Sequence, residues 1–330
     1  MRRGALVVVV VLGVVAAGAG GCGQLRRQAS DGTASDGGGT ASGGGPAAGT
    51  SEQTVTTADG RRRTFRTYVP ASAAGRTGLP VVVLLHGGGG NGETIEQQSR
   101  MSAVADRAGF VAVYPNGTGG ISERVLTWNA GSCCGYARDH DVDDVAFISA
   151  MLDALAARLH TDPARVYVTG FSNGGMMTHR LGCELTDRIT AIAAVSGALN
   201  VDHCRPTRPL PVLIVHGTAD KNVPYGGGPP ADPPFPGAGS WTNRSVPEAV
   251  SFWTGQDHCP ATPSRSRQGS VLRDTYSPCT PGVDVTVYTI EGGGHTWPGG
   301  RKGRDRADDP APTLDASAVI WDFFARHGAR

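Results

Sequence analysis

A serine framed by two glycines is the first candidate for chemistry in this sequence. Ser172 lies within Gly170-Phe171-Ser172-Asn173-Gly174, directly after a run of β-branched and aromatic residues at positions 165–169. A nucleophilic serine on a sharp strand-to-helix turn needs small neighbours, because the two arms of the turn approach each other closely. The pattern therefore predicts a nucleophile on such a turn. A glycine-rich turn without chemistry is the alternative.

A nucleophilic serine also needs a base within hydrogen-bonding reach and an acidic group that orients the base. His295 stands in a glycine-bearing loop after the apolar run 285–290, and Asp220 follows the apolar run 212–215. Serine, acid and histidine occur in this order in α/β hydrolases. We therefore predict Ser172, Asp220 and His295 as the catalytic residues. Capping or surface roles suit the alternative acids better; these are Asp202, Asp257 and Asp284.

A glycine run after a continuous apolar segment is the candidate for an oxyanion hole. His86-Gly87-Gly88-Gly89-Gly90 follows the apolar residues 81–85. Backbone N–H groups can approach a substrate carbonyl closely where no side chain is present. We predict that the N–H groups of Gly88 and Asn173 donate to the developing negative charge, and that the His86 side chain supports the loop.

The elements that must position these residues follow from the alternation of short apolar runs with helical patterns. This alternation predicts a mostly parallel sheet with helices on both faces. Strands are predicted at residues 54–57, 64–69, 81–85, 110–114, 165–169, 191–195, 211–215 and 283–290. Helices are predicted at residues 93–108, 145–159 and 313–327. The catalytic candidates then lie at the carboxyl ends of strands, where functional groups of such sheets gather.

The first 51 residues differ in composition from the rest of the chain. Met1-Arg2-Arg3 precedes an apolar run at residues 5–17, which predicts an export signal over residues 1–21. Cleavage before Cys22 with lipidation of that cysteine is favoured, and cleavage after Ala19 is the alternative. Residues 22–51 hold almost no large apolar side chain and are predicted to be a flexible tether. Residues 52–330 then form one catalytic domain.

The cysteine count fits an exported protein. The chain has seven cysteines, and lipidation of Cys22 leaves an even set that can form three disulfides. These candidates are Cys133, Cys134, Cys183, Cys204, Cys259 and Cys279. We expect Cys259 to pair with Cys279 across a short polar loop. We expect one of Cys133 and Cys134 to pair with Cys183 or Cys204.

Charge and ligand spacing argue against two other classes of function. The formal net charge is +1, and no basic run is long enough to follow a nucleic acid. The sequence lacks the histidine pair of a zinc protease helix. One acidic cluster lacks the glycine and glutamate of a calcium-binding EF-hand loop; it comprises Asp139, Asp141, Asp143 and Asp144. We expect neither a metal site nor a nucleic-acid partner.

Six motifs occur together between residue 64 and the end of the chain. They are His86-Gly87-Gly88-Gly89, Thr127-Trp128-Asn129, Cys133-Cys134-Gly135, Asp141-Val142-Asp143-Asp144-Val145-Ala146-Phe147, Gly170-Phe171-Ser172-Asn173-Gly174-Gly175-Met176 and Gly294-His295-Thr296-Trp297-Pro298-Gly299. This set resembles the secreted esterase family of polyhydroxybutyrate depolymerases and feruloyl esterases. The resemblance implies an α/β-hydrolase fold that cleaves carboxylic esters through an acyl-enzyme, with no metal or organic cofactor.

The resemblance also implies roles for single residues. Ser172 attacks, His295 transfers the proton, Asp220 orients His295, and Trp297 lines the acyl pocket. The implied substrates are polyhydroxyalkanoate oligomers or feruloyl and acetyl esters of polysaccharides, and a lipid on Cys22 would add contact with a membrane. A serine peptidase of similar fold is one alternative. A non-catalytic envelope lipoprotein that uses the fold as a binding module is another.

Overall fold

The folded domain begins before the predicted boundary. The computed structural model describes residues 45–120, 125–231, 237–303 and 307–328, so the predicted export signal, Cys22 and the predicted tether up to residue 44 lie outside it. Strand β1, Gly49–Thr56, pairs along its length with β2, Arg62–Val69. None of the β1 side chains is buried. Backbone pairing holds most of this strand, and Val55 near its end packs against the core. The polar start of β1 therefore left no apolar pattern in the sequence.

One sheet of ten strands organises the described residues. The further strands are β3 Leu79–Leu85, β4 Val111–Pro115, β5 Thr161–Phe171, β6 Ala191–Val195, β7 Val212–Gly217, β8 Ser264–Gln268, β9 Val271–Tyr276 and β10 Val285–Ile290. Their order is β1-β2-β4-β3-β5-β6-β7-β10-β9-β8. The six central strands are parallel, and a hairpin adds two antiparallel strands at each edge. The predicted mostly parallel sheet is confirmed.

Helices cover both faces of this sheet. They are α1 Gly92–Ser99, α2 Met101–Ala108, α3 Gly135–Asp139, α4 Asp144–Leu159, α5 Asn173–Glu184, α6 Val246–Gln256 and α7 Ala316–Arg326. In β3, Val81 and Val83 pack in one core with α4, α5 and α6, whereas Val82 and Leu84 pack in the other with α1, α2 and α7. Because successive strand side chains point to opposite faces, the continuous apolar run of β3 is buried on both.

The single helix predicted over residues 93–108 is divided in two. Arg100 separates α1 from α2 and adopts a left-handed φ of 57°. A glycine would have signalled such a conformation, but an arginine does not. Helix α1 begins at a capping box in which the Asn91 side chain accepts a hydrogen bond from the Thr94 N–H. The amphipathic pattern thus located the helical segment and missed its break.

Helix α6 and the β8–β9 hairpin were not predicted. Helix α6 begins at a capping box formed by Ser245 and Glu248, with Pro247 in its first turn. This spacing is a recognised helix-start signal. Strand β8 has no buried side chain, so its polar sequence shows no apolar alternation.

Three disulfides are present among the described residues, and they differ in part from the expected pairs. They are Cys133–Cys134, Cys183–Cys204 and Cys259–Cys279. The expected Cys259–Cys279 pair is confirmed. The expectation that Cys133 or Cys134 pairs with Cys183 or Cys204 was wrong, because α5 places the Cα of Cys183 4.8 Å from that of Cys204. Disulfides are typical of exported proteins.

Among the described residues, none of the helices has both the length and the apolar character needed to cross a membrane.

Candidate active site

Ser172 occupies the turn between β5 and α5. Its backbone has φ 57° and ψ −122°, a combination that a non-glycine residue adopts at a cost and that occurs at functional sites. A Cβ at Gly170 would overlap the Gly174 carbonyl, and a Cβ at Gly174 would overlap the Leu85 carbonyl. The two glycines therefore permit a close approach of β5, α5 and β3 that larger residues would prevent.

The structure brings Ser172, His295 and Asp220 into one hydrogen-bonded chain. His295 Nε2 lies 2.9 Å from Ser172 Oγ, and His295 Nδ1 lies 2.8 Å from Asp220 Oδ2. An ionised carboxylate only accepts hydrogen bonds, so Nδ1 carries the ring proton and donates it to Asp220. Nε2 is then the acceptor for the Ser172 hydroxyl, which is the arrangement a general base requires.

Asp220 is buried and kept ionised by its surroundings. Its Oδ1 accepts hydrogen bonds from the N–H groups of Asn222 and Val223, at 2.9 and 2.8 Å. Burial disfavours the charge, but the charge and hydrogen bond of His295, the nearby His216 and the Val223 N–H outweigh it. The pKa of Asp220 therefore lies below its ordinary value.

Two further histidines support the loops of the site. Buried His216 lies with Nε2 2.8 Å from the Val223 carbonyl and 3.5 Å from Asp220 Oδ2. Burial lowers the pKa of His216 and lowers that of His86 to about 4. Both side chains are consequently neutral near pH 7, and we assign them to loop support rather than to proton transfer.

The glycine loop after β3 is held in place by its own backbone and by His86. His86 Nε2 accepts a hydrogen bond from the Gly117 N–H at 2.9 Å, so Nδ1 carries the proton and donates to the Gly87 carbonyl at 2.8 Å. The Gly90 N–H donates to the same carbonyl. Because a trans peptide directs its C=O and N–H oppositely, these two bonds fix the direction of the Gly88 N–H.

Elimination also favours the predicted oxyanion donor. The Gly89 N–H donates to Leu126 and the Gly90 N–H donates to Gly87, which occupies both of these later amides. A Cβ built on Gly87 would lie 3.3 Å from the Cβ of Ser172, so the start of the loop lies beside the serine. Donation by Gly88 stays a prediction, with the loop geometry in its favour.

Asn173 has a second function in its side chain. Its Oδ1 accepts a hydrogen bond from the Trp128 N–H at 2.7 Å, and its Nδ2 donates to the Trp128 carbonyl at 3.0 Å. Its own N–H belongs to the first turn of α5, where backbone donors have no partner within the helix. The main chain of Asn173 is thus suited to an oxyanion, while its amide group clamps a neighbouring loop.

A hydrogen-bonded network that no sequence pattern had indicated supports this contact. Trp128 Nε1 donates to the His86 carbonyl at 3.0 Å, and the next N–H, of Asn129, donates to Asp144 Oδ2 at 2.8 Å. Asp144 is buried and ion-paired with Arg63 at 2.7 Å. The motifs around Trp128 and Asp144 were visible in the sequence. The structure shows that the Asp144 carboxylate joins them through the Asn129 N–H.

The predicted role of Trp297 is not supported. Its side chain is fully buried, and its Nε1 donates to Ser317 Oγ at 3.0 Å. Trp297 therefore anchors the segment after His295 to α7 and presents no surface to a substrate. The residue that does lie against the base is Phe171, whose ring centroid is 4.8 Å from that of His295.

Asp308 also holds the His295 loop. Its Oδ2 accepts a hydrogen bond from the His295 N–H at 2.7 Å, and a Cβ at Gly294 would overlap this carboxylate. No sequence pattern pointed to Asp308, since it lies in a polar loop far from any motif.

The acidic cluster near α4 has structural roles. The Asp143 side chain caps α4 by accepting a hydrogen bond from the Ala146 N–H, and Asp144 pairs with Arg63. In the part of the chain that the structure describes, no group of three or more histidine, cysteine or acidic residues could hold a metal ion.

Comparison with known proteins identifies the family. Residues 63–204 match the family described as "Esterase PHB depolymerase". Over 254 residues the chain is 36% identical to "Putative esterase NocK" of Nocardia uniformis subsp. tsuyamanensis. This alignment covers 73% of this chain and 72% of that protein. The chain belongs to the PHB depolymerase esterase family. It is therefore a member of a family of carboxylic-ester hydrolases.

Other members and neighbours of the PHB depolymerase family extend the comparison. "Feruloyl esterase B" of Piromyces equi is 30% identical over 244 residues, which is 72% of this chain and 43% of that protein. This chain thus spans less than half the length of that relative. A solved acetyl xylan esterase from Aspergillus awamori aligns with a TM-score of 0.57 and 17% identity over 84% of this chain and 99% of that one. That likeness shows the α/β-hydrolase fold alone.

Proposed function

We propose that this protein is a serine esterase that cleaves carboxylic esters through an acyl-enzyme. One observation supports the proposal above all others, namely the unbroken hydrogen-bonded chain from Ser172 through His295 to Asp220. Such a chain raises the nucleophilicity of a hydroxyl that is otherwise weak near neutral pH.

In the acylation step, Ser172 Oγ forms a bond to the ester carbonyl carbon while its proton passes to His295 Nε2. The bond between that carbon and the alcohol oxygen then breaks, and His295 returns the proton to the leaving alcohol. Water repeats the sequence on the acyl-enzyme, which releases the acid and restores Ser172. Asp220 stabilises the charged imidazole in both halves of the cycle.

Backbone donors stabilise the negative oxygen in each tetrahedral intermediate. We assign this role to the N–H groups of Gly88 and Asn173, for which the fixed Gly87 carbonyl and the first turn of α5 are the supporting observations. A single donor of this kind is worth about 100- to 1000-fold in kcat.

We propose polyhydroxyalkanoate oligomers, or feruloyl and acetyl esters of polysaccharides, as the substrate class. The family description and the feruloyl esterase relative support this range.

We further propose that the protein is exported and that residues 1–21 are its signal, with a lipid on Cys22. The three disulfides favour an oxidising compartment, and the composition of the first residues is that of a signal peptide. The mass of the N-terminal peptide of the mature protein tests the lipid.

Active-site labelling tests the esterase mechanism. A fluorophosphonate probe should label the native protein at Ser172, and Ser172→Ala should abolish both labelling and hydrolysis of methyl ferulate, hydroxybutyrate oligomers and acetylated xylan. Ser251 is an exposed residue of α6, and Ser251→Ala, the matched control, should label normally. Equal labelling of Ser172→Ala would refute the mechanism, and a native protein that neither labels nor hydrolyses would favour the binding-module alternative.

A further inference from the structure

A polar groove lies at the carboxyl ends of the parallel strands, where Ser172 also lies. It has a volume of about 750 Å³, and its lining includes Arg61, Arg62, Arg63, Asn116, Leu126 and Tyr136. Asn116 directly follows the carboxyl end of β4, and Arg62 begins β2, which runs antiparallel to β4. Ser172 follows the carboxyl end of β5, which is parallel to β3 and so to β4. Arg62, Asn116 and Ser172 therefore all lie at the carboxyl ends of the parallel strands.

The groove and the glycine loop share a wall. Leu126, which lines the groove, accepts a hydrogen bond from the Gly89 N–H at 2.8 Å and forms a β-bridge with Gly90. Two residues earlier in the same loop, Gly87 lies against Ser172. The glycine loop therefore contacts both Ser172 and one wall of the groove.

The three arginines of the groove differ in whether a carboxylate pairs with them. Arg61 is ion-paired with Asp59 at 3.0 Å, and buried Arg63 is ion-paired with Asp144 at 2.7 Å. Arg62 is exposed and makes no ion pair with any residue that the structure describes. No acidic side chain belongs to the described lining. Among the described lining residues, Arg62 therefore presents to the groove a guanidinium that no described carboxylate pairs with.

We propose that this groove is a subsite for a carboxylate of the ester substrate and that Arg62 is its anchor. A guanidinium presents a planar set of donors that matches a carboxylate. Two members of the proposed substrate class carry such a group, a hydroxyalkanoate oligomer at its free end and a polysaccharide at uronosyl residues. The subsite rests on the proposed esterase function and adds to it a preference for esters that carry a carboxylate.

The effect on rate should be moderate and sensitive to salt. An exposed ion pair contributes up to roughly 1 kcal/mol, which is at most about a fivefold preference in kcat/KM. Added salt screens such a pair, so the preference should decline as the ionic strength rises.

Matched substrates isolate the charge. The first pair is a hydroxybutyrate trimer and its terminal N-methylamide, and the second is an acetylated xylo-oligosaccharide with and without a uronosyl group. Each pair is assayed with the native protein, Arg62→Gln, Arg62→Lys and Arg107→Gln. Arg107 is an exposed arginine near the end of α2, shortly before the amino end of β4. It lies at the opposite ends of the parallel strands and serves as the control.

We expect the native protein to prefer the carboxylate-bearing member of at least one pair about two- to fivefold. Arg62→Gln should remove the preference, while Arg62→Lys and Arg107→Gln should retain it. A preference in only the first or only the second pair identifies the source of the carboxylate. No native preference, or one that survives in Arg62→Gln, overturns the subsite.

Hydrolysis of methyl ferulate by every variant separates this failure from a failure of the esterase proposal. It also shows that the variants are folded.

Discussion

At Asp220, burial and hydrogen bonding act on ionisation in opposite directions. Two backbone N–H groups and His295 donate to its carboxylate, and the pKa of Asp220 lies below its ordinary value. The carboxylate is therefore charged throughout the neutral range and holds the proton of His295 on Nδ1. The tautomer of the base depends on this one side chain.

Asp220→Asn should test that dependence. The asparagine amide can donate to Nδ1 and so stabilise the tautomer in which Nε2 carries the proton and cannot accept from Ser172. We expect kcat on methyl ferulate to fall by about 1000- to 10000-fold with a small change in KM. Asp202→Asn, at an exposed residue that pairs with Arg244, should leave kcat unchanged. A loss below tenfold for Asp220→Asn would contradict the assigned role.

At the scale of elements, Trp128 joins two segments that carry the site. Its backbone is bound by the Asn173 side chain at the start of α5, and its indole N–H donates to His86 at the end of β3. The turn that carries Ser172 and the glycine loop after β3 are therefore both fixed to the loop that contains Trp128. Asp144, the first residue of α4, holds this loop in turn by accepting a hydrogen bond from the Asn129 N–H.

Asn173→Ala should uncouple these segments. The Trp128 N–H and C=O would lose their partners in a buried site, which costs about 1–3 kcal/mol of unfolding free energy. We expect kcat to fall by more than tenfold as well, because the oxyanion loop loses its support. Urea unfolding and steady-state kinetics measure the two effects.

Asn200→Ala is the matched control for this prediction. Asn200 is another buried asparagine whose side-chain amide forms hydrogen bonds, with Asn243, Arg244 and the Met176 sulfur. It should lose stability while kcat changes little. Equal losses of kcat in both variants would mean that Asn173 acts only through general stability.

The elements could be predicted from the sequence where apolar pattern determines structure. The apolar run of β3 located the centre of the sheet, and the order of Ser172, Asp220 and His295 indicated three residues that the structure brings together. Strand β8 has no apolar side chain and was missed. The motif that contains Trp297 could not show which way the indole points, because that depends on Ser317 in a distant helix.

At the scale of the whole molecule, three fully buried histidines couple stability to pH. Burial lowers the pKa of His179 to about 3 and that of His86 to about 4, and it also lowers that of His216. In the unfolded chain each histidine takes up a proton near pH 6.5. Unfolding below that pH therefore binds protons, and the native state loses stability as the pH falls from about 6.5 towards 4.

Replacement of His179 should weaken this dependence. His179 Nδ1 accepts a hydrogen bond from Trp253 Nε1 at 3.1 Å, and a glutamine oxygen can replace that acceptor. We expect the slope of unfolding free energy against pH between 4.5 and 6 to fall by about 1.4 kcal/mol per pH unit in His179→Gln. Urea unfolding at several pH values measures it, with exposed His203→Gln as the control. An unaltered slope would show that His179 is not neutral in the folded protein.

The polar outer strand β8 also limits how molecules of this protein associate. A free strand edge can be extended by a strand from another chain, and charged side chains oppose such extension. Strand β8 carries Arg265 and Arg267 at alternate positions, paired with Asp274 and Glu291, and all its side chains are exposed. Pairing with a second copy would bring these arginines close to their own counterparts. The charged side chains of β8 therefore oppose extension of the sheet beyond this strand.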